Sequence, residues 1–485
     1  MAQDYNLGLA FLRQAEATPA AEALLFRDGR LRYAEMQPLV VFMAQHLQAR
    51  GLGAGDTILV RAQDPAVVLV SLFASALLGM RWSYGHDDLL TDRRLNADIV
   101  LQADDEPVLP KGVRLDESWA RPPETAMRAQ FPGYLDPDEA WLLHPVEGRR
   151  GRVELVALSP KIVMERLRSV SYPAPPRGAR IVSLFPPGSW FYLSEAIAAL
   201  TSGGCIVAGM APEQWASAKV TLVIGASGHF LSLCETSFAP PKLPRARIIG
   251  NRLPETVLRH LLSHFDNLEL VFGPIEIGPV TAEIVTERMG GELNRLPVPC
   301  AGQFEIVDAE GNMVPEGDEG ILRLRSPSLV LGYLAGEDAN TAAFDDGWLY
   351  SGDLARTTPA GELVLTGRTD EWLKIGEEYV SAQLLDRILQ GVSGIDDAIT
   401  FMMPRPDRTA RLTAFLAITP GTHPSDIEAS AKIAVLSAAG RAAVPERFLF
   451  ADKLPRTSTG RADRDACMAM VIAMRAQRAN ERRKN

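Results

Sequence analysis

The sequence is poor in cysteine. Its 485 residues include four, at positions 205, 234, 300 and 467, and no two stand at C-x-x-C spacing. That pattern gives neither a zinc motif nor a disulfide framework, so free thiols in a reducing compartment are expected. Positive charge is not in excess either. Lys and Arg number 50 against 60 Asp and Glu, a formal net charge of −10. An acidic chain lacks the electrostatic footprint of a nucleic-acid-binding protein, so no nucleic-acid partner is expected. The basic stretch from Arg475 to Lys484 reads as a solvated helix end. Long apolar runs are missing too. The longest, Ala66 to Met80, is shorter than the roughly 20 residues of a membrane span and is flanked by Asp64 and Arg81. It reads as a buried helix, and no membrane span is expected. The opening residues Met1-Ala-Gln-Asp-Tyr5 lack the basic start and apolar core of a secretory leader, which points to a cytoplasmic protein.

What is present is a globular composition, 47% hydrophobic and 23% charged, on a chain long enough for two or more domains. Leu31 to Val60 reads as strand, helix, turn and strand. The turn is Gly51-Leu-Gly-Ala-Gly-Asp56, followed by the buried strand Thr57-Ile-Leu-Val60. Similar alternation recurs at Ala179 to Leu184, Tyr192 to Leu200, Cys205 to Ala208, Val220 to Ile224, Ala246 to Ile249, Pro254 to His264 and Leu268 to Phe272. Short β-rich runs separated by helices predict an α/β fold with helix-wrapped parallel sheets. After about residue 300 the texture changes. Phe304 to Asp308, Gly320 to Arg325, Leu349-Tyr350 and Glu362 to Leu365 read as short strands of a small antiparallel barrel or meander. Beyond Arg368 the remainder has the size of one compact α+β domain.

Four motifs carry a resemblance. Gly347-Trp-Leu-Tyr-Ser-Gly-Asp353 resembles the G-W-x-x-T-G-D motif of the adenylate-forming superfamily of acyl-CoA synthetases, peptide-synthetase adenylation domains and luciferases. Gly367-Arg-Thr-Asp370 is similar to that family's G-R-x-D hinge. Leu454-Pro-Arg-Thr-Ser-Thr-Gly-Arg-Ala-Asp-Arg464 is similar to L-P-x-T-x-x-G-K-x-x-R, and Gly332-Tyr333 matches the G-Y of the preceding segment. The matches fall in the family's order along nearly the whole chain. The resemblance implies a large N-terminal AMP-binding domain of helix-wrapped sheets and a small β-barrel, residues 1–367. A small mobile C-terminal domain would follow, residues 368–485, hinged near Asp370. It implies ATP or AMP and magnesium as cofactors. It also implies a small carboxylate or acyl-adenylate as ligand, and CoA, carrier-protein pantetheine or an amine as acceptor.

It further implies roles. Asp353 would take the ribose hydroxyls, a task suited to a carboxylate, with Arg368 beside ribose or phosphate. Phe272 and Gly273 open Phe-Gly-Pro-Ile-Glu276, similar to Y-G-x-T-E, where the aromatic ring packs on adenine and Glu276 would hold magnesium.

Other positions depart from the pattern. Around Gly148-Arg149-Arg150-Gly151 two glycines of the phosphate loop survive, but arginines replace its hydroxyl residues, Glu147 its leading serine and Glu154 its lysine. Ile275 replaces the hydroxyl residue before Glu276. Pro186 stands where acyl-CoA synthetases carry histidine, and no aspartate between Leu184 and Leu200 serves an α-amino group. Arg461 replaces the final-motif lysine, trading a compact point charge for a planar fork. In Lys374-Ile-Gly-Glu-Glu-Tyr-Val-Ser381 the glycine comes one residue early, leaving Glu377 in its place. Three readings stay open: an AMP-forming ligase with an atypical phosphate site, a pseudoenzyme that binds nucleotide or acyl-adenylate, and a protein performing only the transfer half-reaction.

Overall fold

The computed structural model describes the chain except residues 1–4, 86–93, 104–108, 125–130, 135, 148–152, 169–177, 235–241, 251–252, 254, 289–291, 335–339, 342, 360, 370, 376–377, 406–409, 457–461 and 485. It divides into two compact units. Met1–Phe304 with Arg323–Ser351 form the first, and Glu305–Leu322 with Gly352–Asn485 form the second. Among the described residues no helix is long and apolar enough to cross a membrane.

The first unit holds two helix-covered sheets. One has six strands in the order Gly112–Arg114, Ile99–Gln102, Thr57–Arg61, Arg81–Tyr84, Leu142–Glu147, Val153–Leu158. The apolar run read as a buried helix is Pro65–Leu78. Asp64 caps it by accepting the Ala66 N–H at 2.8 Å, and every residue from Val68 to Leu78 is buried. Two of its serines satisfy buried indoles, Trp82 Nε1 donating to Ser71 and Trp141 Nε1 to Ser75, both at 3.1 Å.

The other sheet has nine strands. Its order is Leu293–Val298, Thr281–Glu287, Phe265–Phe272, Leu243–Ile249, Leu222–Ala226, Arg180–Ser183, Cys205–Val207, Glu22–Phe26, Gly29–Arg32. The six strands from Phe265–Phe272 to Glu22–Phe26 run parallel, and antiparallel strands close both edges. The parallel strands are short Val, Ile and Leu runs, as burial on both faces requires. Their carboxyl ends lie together, and there open α/β sheets bind ligands.

A five-stranded sheet follows, built from Gln303–Val307, Gly320–Arg325, Phe344–Asp345, Trp348–Thr357 and Leu363–Arg368. It occupies the stretch read as a barrel or meander. In the second unit, Trp372–Ile375 pairs with Glu378–Ser381. A three-stranded sheet, Ile395–Pro404, Ala410–Ile418 and Arg447–Phe450, packs with helices Ala382–Gln390, Pro424–Ala439 and Arg464–Lys484. That unit has apolar clusters of its own, one around Leu385, Leu416 and Val435, another around Phe401, Phe415 and Cys467.

Candidate functional site

Strand Phe265–Phe272 delivers Phe272 to the carboxyl edge of the parallel sheet, where the chain turns sharply. The Gly278 N–H donates to the Pro274 carbonyl at 2.9 Å, and the Val280 N–H donates to the Phe272 carbonyl at 2.8 Å. Gly273 has to be glycine here, because a Cβ on it would lie 1.9 Å from the Gly278 carbonyl oxygen. Arg166, from helix Pro160–Arg168, braces the turn from inside. Its guanidinium is buried and donates to the Ile275 carbonyl at 2.8 Å and the Ser328 carbonyl at 2.9 Å. Burial pushes the Arg166 pKa down to about 9, with the nearby Glu276 carboxylate acting in the opposite sense.

Glu276 follows directly and is 8% exposed. Its Oε1 accepts the Tyr333 hydroxyl at 2.9 Å, and its backbone carbonyl accepts the Val330 N–H at 2.9 Å. Tyr333 is in turn fixed by Asn340, which accepts its N–H at 2.7 Å and donates to its carbonyl at 3.0 Å. Ile275 packs against the main core and offers no oxygen beside Glu276. Behind this edge a buried ion network ties three elements together. Arg247 on strand Leu243–Ile249 meets Glu269 on Phe265–Phe272 at 2.7 Å and also meets Glu195 of helix Trp190–Leu200. The Glu269 carboxylate takes a second cation, Arg245, at 3.0 Å.

Gly148, Arg149, Arg150 and Gly151, with Arg152, lie outside the described residues, as do Asp370 and Arg461. The residue read in place of the loop lysine is described. Glu154 lies on strand Val153–Leu158, buried, and pairs with Arg94 at 2.9 Å. Arg94 also donates to the Val153 carbonyl at 2.9 Å. That carboxylate is therefore already matched by a cation of its own unit.

In the second unit Asp353 and Arg368 are register partners on adjacent antiparallel strands. Arg368 Nη1 donates to Asp353 Oδ1 at 3.2 Å, and both side chains are about nine-tenths buried. The stem of the final motif is firmly held. Arg456 pairs with Asp397, and a backbone bridge joins Arg456 to Ala462. Arg464 reaches Glu371 at 2.9 Å and also pairs with Asp386. Burial pushes the Asp386 pKa up to about 6, against the opposing pull of Arg464 and two hydrogen bonds from Thr400.

Residues 156–334 match the AMP-binding enzyme family, across the segment that contains the Phe272–Glu276 turn and its Arg166 brace. The chain is 31% identical over 229 residues to a salicylyl-CoA synthase/salicylate adenylyltransferase of a Streptomyces species, a match covering 47% of this chain and 41% of the relative. It is 30% identical to a D-alanine–D-alanyl carrier protein ligase of Lacticaseibacillus casei (strain BL23), covering 48% of each. The matches thus span less than half the length of either relative. Among solved structures, the O-succinylbenzoate coenzyme A synthetase of Bacillus subtilis in complex with AMP superposes with a TM-score of 0.78, covering 94% of this chain and 97% of that one. Identity there is 18%, so the likeness is one of fold.

Sequence reasoning put Phe272, Gly273 and Glu276 in one motif and gave Asp353 and Arg368 separate nucleotide contacts; in the structure the first three share one turn and the other two are register partners. It missed Arg166 and Arg94. Nothing in Glu165-Arg-Leu-Arg168 separates the buried arginine from its neighbour, and the partners of Arg166 lie more than a hundred residues away.

Proposed function

We propose that this chain is an AMP-forming ligase that activates an aryl or acyl carboxylate as an acyl-adenylate and passes the acyl group to a thiol or an amine. The observation that carries this reading is the Phe272–Glu276 turn, fixed by hydrogen bonds from Arg166 and Tyr333. A turn held this way spends little free energy on ordering when nucleotide arrives. The names of the relatives supply the reaction class: one adenylates salicylate, another loads D-alanine on a carrier protein.

In the first step a carboxylate oxygen attacks the α-phosphorus of ATP. The bond to the bridging oxygen breaks, and pyrophosphate leaves with the electron pair. In the second step a thiol or amine attacks the acyl carbon, AMP leaves, and the nucleophile's proton passes to solvent. Phe272 would pack on adenine, Asp353 would accept from the ribose hydroxyls, and Arg368 would lie beside them. Arg461 would face the α-phosphate, and the segment Gly148 to Gly151 the outer phosphates. Residues 368–485 would turn about Asp370 between the two steps, presenting CoA, a carrier-protein pantetheine or an amine. Glu276 offers a hard carboxylate oxygen, and magnesium commonly takes one or two carboxylates and completes its shell with phosphates and water. Glu276 would hold it, and when bound it screens charge on the phosphate oxygens.

ATP–pyrophosphate exchange with a panel of aryl and aliphatic acids tests the proposal. Exchange with at least one acid is expected, at a rate reduced by roughly a hundredfold for each lost stabilising contact. Absence of exchange from a folded protein that still binds AMP would leave the second reading, nucleotide binding without adenylation. The observation favouring that reading is the apolar burial of Ile275, where the family pattern places an oxygen.

A further inference from the structure

The topology of the nine-stranded sheet singles out one place. From Arg180–Ser183 the chain crosses to Cys205–Val207 on one side, then returns to lay Leu222–Ala226 on the other. Connections that leave two adjacent parallel strands in opposite directions part at their carboxyl ends, which is where such sheets receive a ligand. Phe185 follows the first of these strands and His229 follows the second. Their rings meet edge to face, 5.2 Å between centres, and Phe191 packs on Phe185 at 5.0 Å. Gly188 completes this wall. A Cβ there would fall 1.9 Å from the Tyr84 ring, so only glycine lets Tyr84 close against the loop.

Of the three rings Phe185, Phe191 and His229, the last carries the polar atoms, and its chemistry is fixed locally. The Ala226 N–H donates to His229 Nδ1 at 3.2 Å, so Nδ1 is the acceptor and the proton lies on Nε2. Burial holds the ring below its ordinary pKa and so neutral at pH 7. Among the described residues Nε2 has no hydrogen-bond partner. A neutral N–H donor set among half-exposed aromatic rings brings no cationic charge of its own to the site. It is suited to an acceptor oxygen on a flat ring.

We infer that His229 is a specificity-determining residue, whose Nε2–H selects aromatic acids bearing a hydrogen-bond-accepting oxygen on a ring packed against Phe185 and Phe191. The inference rests on the ligase reading above. The experiment measures kcat/KM for pyrophosphate exchange with benzoate, its 2-, 3- and 4-hydroxy derivatives and the matching methoxy acids. Wild-type protein is compared with His229→Phe and His229→Gln. One hydroxy acid, and its methoxy counterpart, should exceed benzoate by about tenfold or more, the worth of one hydrogen bond made in place of an unpaired donor. That ratio should fall towards one in His229→Phe and be partly kept in His229→Gln, which retains an N–H donor. Methoxy acids cannot donate, so their preference identifies the oxygen as acceptor. Exchange that proceeds without preference, or with a ratio untouched in His229→Phe, overturns the role of His229 and leaves the ligase reading standing. Exchange with aliphatic acids but none of these overturns the role of His229 alone, and exchange with no acid of either kind overturns both.

Discussion

Two arginines, one in each unit, are held in different ways. Arg166 in the first unit donates to two backbone carbonyls, of Ile275 and Ser328. Arg368 in the second unit donates to a carboxylate, Asp353. Backbone carbonyls of a packed turn have no other duty, so Arg166 acts as a permanent brace. The Asp353 carboxylate is the group expected to receive ribose, and its bond to Arg368 competes with ligand or is shared with it. The turn is thus held by bonds to backbone carbonyls, whereas the aspartate is held by a side-chain bond that a ligand could exchange.

The largest expected effect comes from breaking the brace. Arg166→Met should leave two buried carbonyls unsatisfied and remove a packed guanidinium, lowering stability by about 3 kcal/mol. Urea unfolding followed by tryptophan fluorescence measures this. A loss below about 1 kcal/mol would mean that Arg166 does not brace the turn.

Arg464 offers an intermediate case, an arginine whose carboxylate partner is itself deeply buried. Because the Asp386 pKa is raised in the folded protein to about 6, folded protein keeps a proton there that unfolded protein releases near pH 4. Its contribution is fully present below pH 4, is lost as pH rises to about 6, and is level above that. The change is on the order of 2–3 kcal/mol. The difference in stability between wild type and Asp386→Asn, followed from pH 4 to 7, should show that slope. A flat difference would place the Asp386 pKa near its ordinary value.

The smallest effect is expected at the exchangeable pair. Arg368→Gln should cost about 1–2 kcal/mol of stability, since the buried Asp353 carboxylate keeps a neutral hydrogen-bond donor in place of the cation. A cost equal to that of Arg166→Met would erase the distinction between brace and exchangeable bond.

The contrast also marks what the sequence could reveal. The parallel strands and the buried helix Pro65–Leu78 were legible because burial on all sides demands continuous apolar runs. The Phe272–Glu276 segment was legible as a family-like motif, whereas the turn, whose glycine the close approach of Gly278 requires, was not. Local capping was harder to see. The unit from Leu31 to Val60 reads in sequence as opening on a strand, yet the helix already starts at Tyr33. There the Glu35 carboxylate accepts the Arg32 N–H at 2.7 Å and draws the helix start back by a turn. The edge strands Thr281–Glu287 and Leu293–Val298 were not read at all, because they are largely half-exposed and carry polar residues throughout. Long-range pairs such as Arg94 with Glu154 leave no local pattern, since a charge needed by one partner looks like any solvated charge in the other's neighbourhood.

The account stands most directly on the adenylate site. Calorimetric titration of a non-hydrolysable aroyl-sulfamoyl adenosine into wild-type protein and Asp353→Asn tests it. The wild type should bind, and the variant should bind about 10- to 100-fold more weakly, having lost hydrogen bonds to a charged acceptor. Equal affinity in the two proteins, or no binding by the wild type, would contradict it.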